Sequence, residues 1–159
     1  MKFELNNKPF IDPNYRTVSD EINRFKNYDE LILDGMLTNV GDFMKINTEW
    51  KGSTITLTEL EPIEEQVQEL CKWTGDKINL NLCGHEYYDL AMFIENMNDW
   101  NGNILTIGYS GPKIFTNDVA RSFKNPKYKE LHFRMCVLPN NFIDLIHSYS
   151  PNLYIVNDN

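Results

Sequence analysis

Three copies of one short pattern constrain this chain more than any other feature. They are Trp50-Lys-Gly52-Ser-Thr-Ile55-Thr-Leu57, Trp73-Thr-Gly75-Asp-Lys-Ile78-Asn-Leu80 and Trp100-Asn-Gly102-Asn-Ile-Leu105-Thr-Ile107. Each reads as the end of an amphipathic helix, a glycine stop, and a short strand with alternating apolar residues. Self-similarity at a spacing of roughly 20–50 residues is the mark of a stacked-repeat protein. The paired strand positions extend the pattern in both directions: Leu31/Leu33, Ile55/Leu57, Ile78/Leu80, Leu105/Ile107, Leu131/Phe133 and Leu153/Ile155. Successive offsets are 24, 23, 27, 26 and 22 residues.

The segments between these strands carry helical spacing. Val40, Phe43 and Met44 mark one helix over about 39–49. Glu61-Pro62 opens another, with acids in its first turn and Ile63, Val67, Leu70 and Cys71 as its stripe. Leu90, Phe93, Ile94 and Met97 define a third. Phe115, Val119, Ala120 and Phe123 follow, then Phe142, Ile143, Leu145, Ile146 and Tyr149. Helices of about 10–14 residues are expected from this repeat length. Gly52, Gly75 and Gly102 stand where a residue just past a helix end takes a positive φ. Asn125-Pro126 and Ser150-Pro151-Asn152 stand in for that glycine in the last two copies. Residues 1–28 differ: Lys2–Leu5 and Pro9–Ile11 suggest a hairpin, and Val18, Ile22 and Phe25 a first helix. Together they form an N-terminal cap, followed by five to six strand–helix repeats over 29–159 in one domain.

Strands alternating with helices at this spacing require right-handed crossovers and a parallel sheet. A doubly wound sheet buries both faces, so its strands read as unbroken apolar runs. Here the positions between the leucines are Thr56, Thr58, Asn79, Asn81, Thr106, His132 and Arg134. One face is polar, so helices cover the other face only, and the expected architecture is an open, curved α/β solenoid.

At this point the residues resemble the leucine-rich-repeat superfamily, over about residues 29–157. Its pattern LxxLxLxx(N/C)xL is best matched by Leu131-His-Phe133-Arg-Met-Cys136-Val-Leu138, with Cys136 at the buried Asn/Cys position. Ile78-Asn-Leu80-Asn-Leu-Cys83 places a second cysteine there. Leu31-Ile-Leu33-Asp-Gly-Met36, Ile55-Thr-Leu57-Thr-Glu-Leu60 and Leu105-Thr-Ile107-Gly-Tyr-Ser110 keep the strand but put Met, Leu and Ser at that position. Aromatics replace the leucines that open the family's helices. The resemblance implies a non-enzymatic protein that binds a macromolecule on the concave face of its parallel sheet.

Composition removes several function classes. A net charge of −8 disfavours direct binding to nucleic acid through phosphate neutralisation. No apolar run reaches the ~18 residues of a membrane span, and Met1-Lys-Phe-Glu-Leu-Asn is not a signal peptide. Three cysteines with no CxxC suggest reduced core thiols and a cytoplasmic setting. Lysine in excess of arginine, with abundant asparagine, is the composition of an AT-rich genome such as that of a phage or virus.

Catalytic constellations are thin. Cys83-Gly-His85-Glu86-Tyr-Tyr-Asp89 lacks the second histidine of HExxH and falls at a strand-to-helix loop. Ser110-Gly111-Pro112-Lys113 lacks the spacing of a phosphate loop and reads as a tight turn into the next helix. Trp50, Trp73 and Trp100 read as packing between repeats rather than as an exposed ladder for sugars or bases. The acids Glu59, Glu61, Glu64, Glu65 and Glu69 read as a solvated helix start. No cofactor and no metal is expected.

The candidate binding surface is the polar face. Ile32, Thr56, Asn79, Thr106, His132 and Tyr154 form one expected row, and Asp34, Thr58, Asn81, Gly108, Arg134 and Val156 the next. Partner contacts are expected from Thr56, Asn79, Asn81, Thr106, His132, Arg134 and Tyr154, with the last three as anchors. The expected function is a protein-interaction module, such as a phage- or virus-encoded inhibitor of a host factor acting in the host cytoplasm. One alternative is a small metal-dependent hydrolase or nuclease using His85, Glu86 and Asp89. Another is an acidic decoy for a nucleic-acid-binding protein. Only Asn157-Asp158-Asn159 follow Val156, which leaves an apolar edge strand where a homodimer could form.

Overall fold

The computed structural model describes residues 2–4, 29–35, 50–60, 64–82 and 90–158. They form a seven-stranded sheet in sequential order, β1 (Lys2–Glu4), β2 (Glu30–Gly35), β3 (Thr54–Leu60), β4 (Lys77–Leu82), β5 (Ile104–Ile114), β6 (Glu130–Val137) and β7 (Tyr154–Asp158). Every neighbouring pair is parallel. The first strand also joins in parallel, through Phe3 opposite Leu31. The expected return of a hairpin at Pro9–Ile11 lies outside the described residues, as does the helix expected over 39–49.

Alternating apolar residues make the strands, and one register line shows why they align. Leu31, Ile55, Ile78, Leu105, Leu131 and Ile155 are successive partners across the sheet. Leu33, Leu57, Leu80, Ile107 and Phe133 form the next line. All eleven of these except Ile155 and Leu31 are wholly buried, and Leu31 is 1% exposed. A fully buried side chain of this kind contributes about 1.5–3 kcal/mol, so the two lines supply a large part of the folding drive.

Four described helices close the apolar side: α1 (Glu64–Leu70), α2 (Leu90–Met97), α3 (Asn117–Ala120) and α4 (Phe142–Tyr149). Val67, Leu70, Phe93, Ile94, Met97, Phe142 and Ile146 join the same core as the strand leucines. α3 and α4 are shorter than their spacing suggests, with 4 and 8 residues. Only one turn forms between Phe115 and Phe123, because these two rings bury themselves from either side of it. Both meet Phe133 nearly edge-on, at centroid distances of 5.9 and 6.1 Å, and Phe142 completes the cluster at 5.7 Å. Ser110-Gly111-Pro112-Lys113 is not a turn into this helix. It lies within β5, where pairing resumes at Lys113 opposite Cys136 after an irregularity that begins at Gly108.

The tryptophans form a continuous stack along the edge where each repeat enters its strand. Trp50 and Trp73 lie 5.7 Å apart at 11°, Trp73 and Trp100 6.3 Å apart at 5°. The Trp100 indole also donates to the Trp73 carbonyl at 3.0 Å. Each ring lies on the glycine two residues later. A Cβ at Gly52, Gly75 or Gly102 would stand 1.9, 1.8 or 1.8 Å from its own indole. None of these glycines has a positive φ, which corrects the helix-stop reading. The residue is glycine because a ring occupies the place of its side chain.

Beneath the stack, one carbonyl per repeat accepts two backbone N–H groups from the next. Asp29 O receives Ser53 and Thr54, Ser53 O receives Asp76 and Lys77, Asp76 O receives Asn103 and Ile104, and Asn103 O receives Lys129 and Glu130. The fourth ring of the stack comes from a different position. Pro126 stands where a tryptophan is expected and Tyr128 where the glycine is, and the Tyr128 ring reaches Trp100 at 6.1 Å. Further on, the buried Ser150 hydroxyl takes over, accepting from Asn125 N at 2.9 Å. Asn125 itself has φ 47°, so here an asparagine does serve in the left-handed region.

Tyr128 is 2% exposed, and its hydroxyl has no hydrogen-bond partner among the described residues. Burial pushes its ionisation far above the ordinary phenol range. An unsatisfied buried hydroxyl costs about 1–3 kcal/mol, whereas the ring alone makes the stack. Tyr128→Phe is therefore expected to raise unfolding free energy by about 1 kcal/mol in urea titration. A loss of stability would mean the hydroxyl is bonded.

Candidate functional site

The side of the sheet opposite the helices carries three rows set by strand register. The first is Glu30, Thr54, Lys77, Ile104, Glu130 and Tyr154; the second Ile32, Thr56, Asn79, Thr106, His132 and Val156. In the third, Asn81, Gly108, Arg134 and Asp158 are successive partners. Tyr154 therefore belongs one row earlier than expected, opposite Glu130, and Val156 takes its place beside His132. A shift of two residues keeps every side chain on its face, so alternation alone does not detect it. Leu153 instead lies in the turn before β7, where its carbonyl accepts a hydrogen bond from His147 Nε2 at 3.0 Å.

The middle row is sunk rather than displayed. Thr56 and Thr106 are 7% and 5% exposed. Thr56 donates to Glu30 Oε1 at 2.9 Å and accepts from Asn79 Nδ2 at 3.2 Å. These bonds tie three strands and satisfy the polar atoms internally. His132 lies 3.0 Å from Glu130 Oε2, with its Nε2–H as donor because a carboxylate only accepts. Thr56, Asn79 and Thr106 thus form a floor, and Glu30 and Glu130 are members the strand pattern did not single out.

The exposed chemistry gathers towards the C-terminal ends of β4, β5 and β6. Arg134 sends its guanidinium across β5 to Asn81 Oδ1 at 2.9 Å, two strands away. The crossing is possible because Gly108 lies between them. A Cβ there would meet Asn81 Oδ1 at 3.3 Å and Arg134 Nε at 3.5 Å. A lone glycine inside a strand is the sequence sign of such a close approach. Next to Arg134, Met135 has φ 57° and is 43% exposed, so two successive residues face out before Cys136 turns into the core. Tyr154 is 62% exposed on β7, the last strand of the sheet.

The two described cysteines, Cys71 and Cys136, are thiols rather than half-cystines. Burial pushes both thiols up to about 12, with Asp99 adding to the effect at Cys71 and a hydrogen bond with the Arg134 backbone opposing it at Cys136. Cys71 Sγ donates to Asn96 O at 3.1 Å and Cys136 Sγ to Arg134 O at 3.3 Å. His85, Glu86, Asp89 and Cys83 lie outside the described residues. Among the described residues no three His, Cys, Asp or Glu side chains gather to hold a metal, and no helix is long and apolar enough to cross a membrane. Glu64 and Glu65 are exposed in the first turn of α1, and Glu69 bonds to Lys72 at 2.7 Å. No family model, curated protein or solved structure matches the chain.

A thiol whose pKa is raised in the fold leaves stability unchanged while both states are protonated, and lowers it once the unfolded thiol ionises and the folded one cannot. Stability should therefore be constant up to the ordinary thiol value of 9.0 and fall as pH rises towards 12. In a Cys83→Ser background, a disulfide reagent at pH 8 is expected to label Cys71 and Cys136 only after denaturation. Rapid labelling of the folded protein would contradict this.

Proposed function

We propose that this protein is a non-enzymatic interaction module, a curved solenoid of the leucine-rich-repeat type, which engages a protein partner through the open face of its sheet. The observation that carries the reading is Arg134 held across Gly108 on Asn81. Sheet backbone and a neutral acceptor fix this side chain before any partner arrives, so little ordering cost remains on binding. Arginine and tyrosine are the residues that most often dominate interface energy, and Tyr154 stands exposed on the same face. The buried Cys136, with Sγ within 3.6 Å of the Ile107 carbonyl, fits the structural role of the repeat family's Asn/Cys position. A partner that is a host factor, inhibited in the host cytoplasm by a viral or phage protein, accords with the acidic, lysine- and asparagine-rich composition.

Affinity capture from a candidate host lysate tests the reading when wild type is run beside His132→Ala/Arg134→Ala. One stoichiometric protein is expected on wild type, with the double substitution weakening binding by about 1–3 kcal/mol and leaving the thermal midpoint unchanged. If Glu64 and Glu65 substitutions abolish capture and the Arg134 pair does nothing, the open face is not the interface. Metal-dependent turnover with no captured protein would favour an enzyme instead.

A further inference from the structure

We propose that the corner of the open face around Arg134 receives a carboxylate-bearing segment of a partner protein, with an aliphatic residue of that segment seated beside it on Ile114 and Val137. This rests on the interaction-module reading and adds the chemistry of what is bound.

The cation is organised but not neutralised. Arg134 bonds to the neutral amide oxygen of Asn81, which orients the guanidinium without cancelling its charge. Asp158 is its register partner on β7, yet no ion pair joins them. The side chain lies over Gly108. A guanidinium has five N–H donors in a planar fork, and one contact with Asn81 leaves a paired set for a carboxylate. Hydrogen bonds between two charged groups are about twice as strong as neutral ones.

The apolar half of the site is equally specific. Ile114 and Val137 are paired across β5 and β6, 75% and 48% exposed. Their neighbours Phe115 and Cys136 are buried in the core, so the alternation places Ile114 and Val137 on the open face. Met135, in the left-handed region, is the extra residue that turns Val137 outwards. Left-handed backbone at a residue other than glycine costs about 1–3 kcal/mol and persists where a site needs it. Three large apolar side chains exposed further along the strands from a cation without an ion pair among the described residues match an acidic residue with an aliphatic neighbour. A basic segment would set like charge against Arg134.

The net charge of −8 does not forbid this partner. At 0.15 M salt the screening length is about 8 Å, so distant acids are damped while a direct guanidinium contact is not.

Selection of phage-displayed random peptides on the full chain at physiological salt tests the proposal. Enriched sequences are expected to place Asp or Glu within one or two positions of Leu, Ile, Val or Met. A synthetic peptide of that consensus, titrated by calorimetry, is expected to lose roughly tenfold or more in affinity on Arg134→Gln. Gly108→Val, which keeps the charge but blocks the crossing to Asn81, should weaken it as well, with circular dichroism confirming the fold of both variants. Enriched Lys- or Arg-rich peptides that His132→Ala or Tyr154→Ala weakens would overturn the carboxylate assignment and leave the open face as the interface. Peptides insensitive to every open-face change, or no enrichment at all, would overturn both.

Discussion

An indole lying where a glycine has no side chain is the contact on which the rest of this molecule depends. Trp50, Trp73 and Trp100 each fold back over Gly52, Gly75 and Gly102, and the rings then stack on one another at 5.7 and 6.3 Å. Aromatic pairs of this kind contribute about 0.5–1.5 kcal/mol beyond the area they bury. Their larger effect is geometric. A ring fixed on its own backbone, and then on the ring of the next repeat, places consecutive strand starts at one height. The carbonyls of Asp29, Ser53, Asp76 and Asn103 then each meet two N–H groups of the following repeat.

Equal strand starts determine the arrangement of the open face. Because β4, β5 and β6 begin in line, Asn81, Gly108 and Arg134 fall side by side, and the arginine can span the glycine. A slip of one residue in β5 would put Tyr109 or Ile107 under the guanidinium and send the charge elsewhere. The same alignment produces the hydrogen-bonded floor of Glu30, Thr56 and Asn79. The ordered polar face is thus a by-product of the core contact, displayed on its far side.

Much of the scaffold was legible in the residues. The strand positions from Leu31 to Phe133, the polar face, and the buried stripes Val67/Leu70 and Phe93/Ile94/Met97 all follow from periodicity. The tryptophan repeat pointed to packing between units. The reason for its glycines was hidden, because a positive φ and an occupied side-chain site demand the same residue. Tyr128 was hidden for a related cause, since its ring enters the stack from the glycine's position in the repeat. The register of β7 was also illegible: Leu153 and Ile155 alternate correctly in either of two placements, and only the turn at Ser150–Leu153 decides between them. At the site, Arg134 and Asn81 were visible as row neighbours, but their bond depends on Gly108 being crossed. Met135 carried no sign of its left-handed backbone, as methionine has no preference for it.

The central claim is that these glycines make room for an indole, and a double-mutant cycle on the middle repeat tests it most directly. Unfolding free energies would be measured for Gly75→Ala, Trp73→Leu and the combination. Alone, Gly75→Ala places a methyl group 1.8 Å from a rigid ring held between two others, and overpacking of this kind costs about 1–3 kcal/mol. With leucine at residue 73, that penalty is predicted to vanish almost completely, giving a coupling of nearly the same size. An equal penalty in both backgrounds would mean that Gly75 is needed for its backbone conformation, and the stack would then not be what aligns the strands.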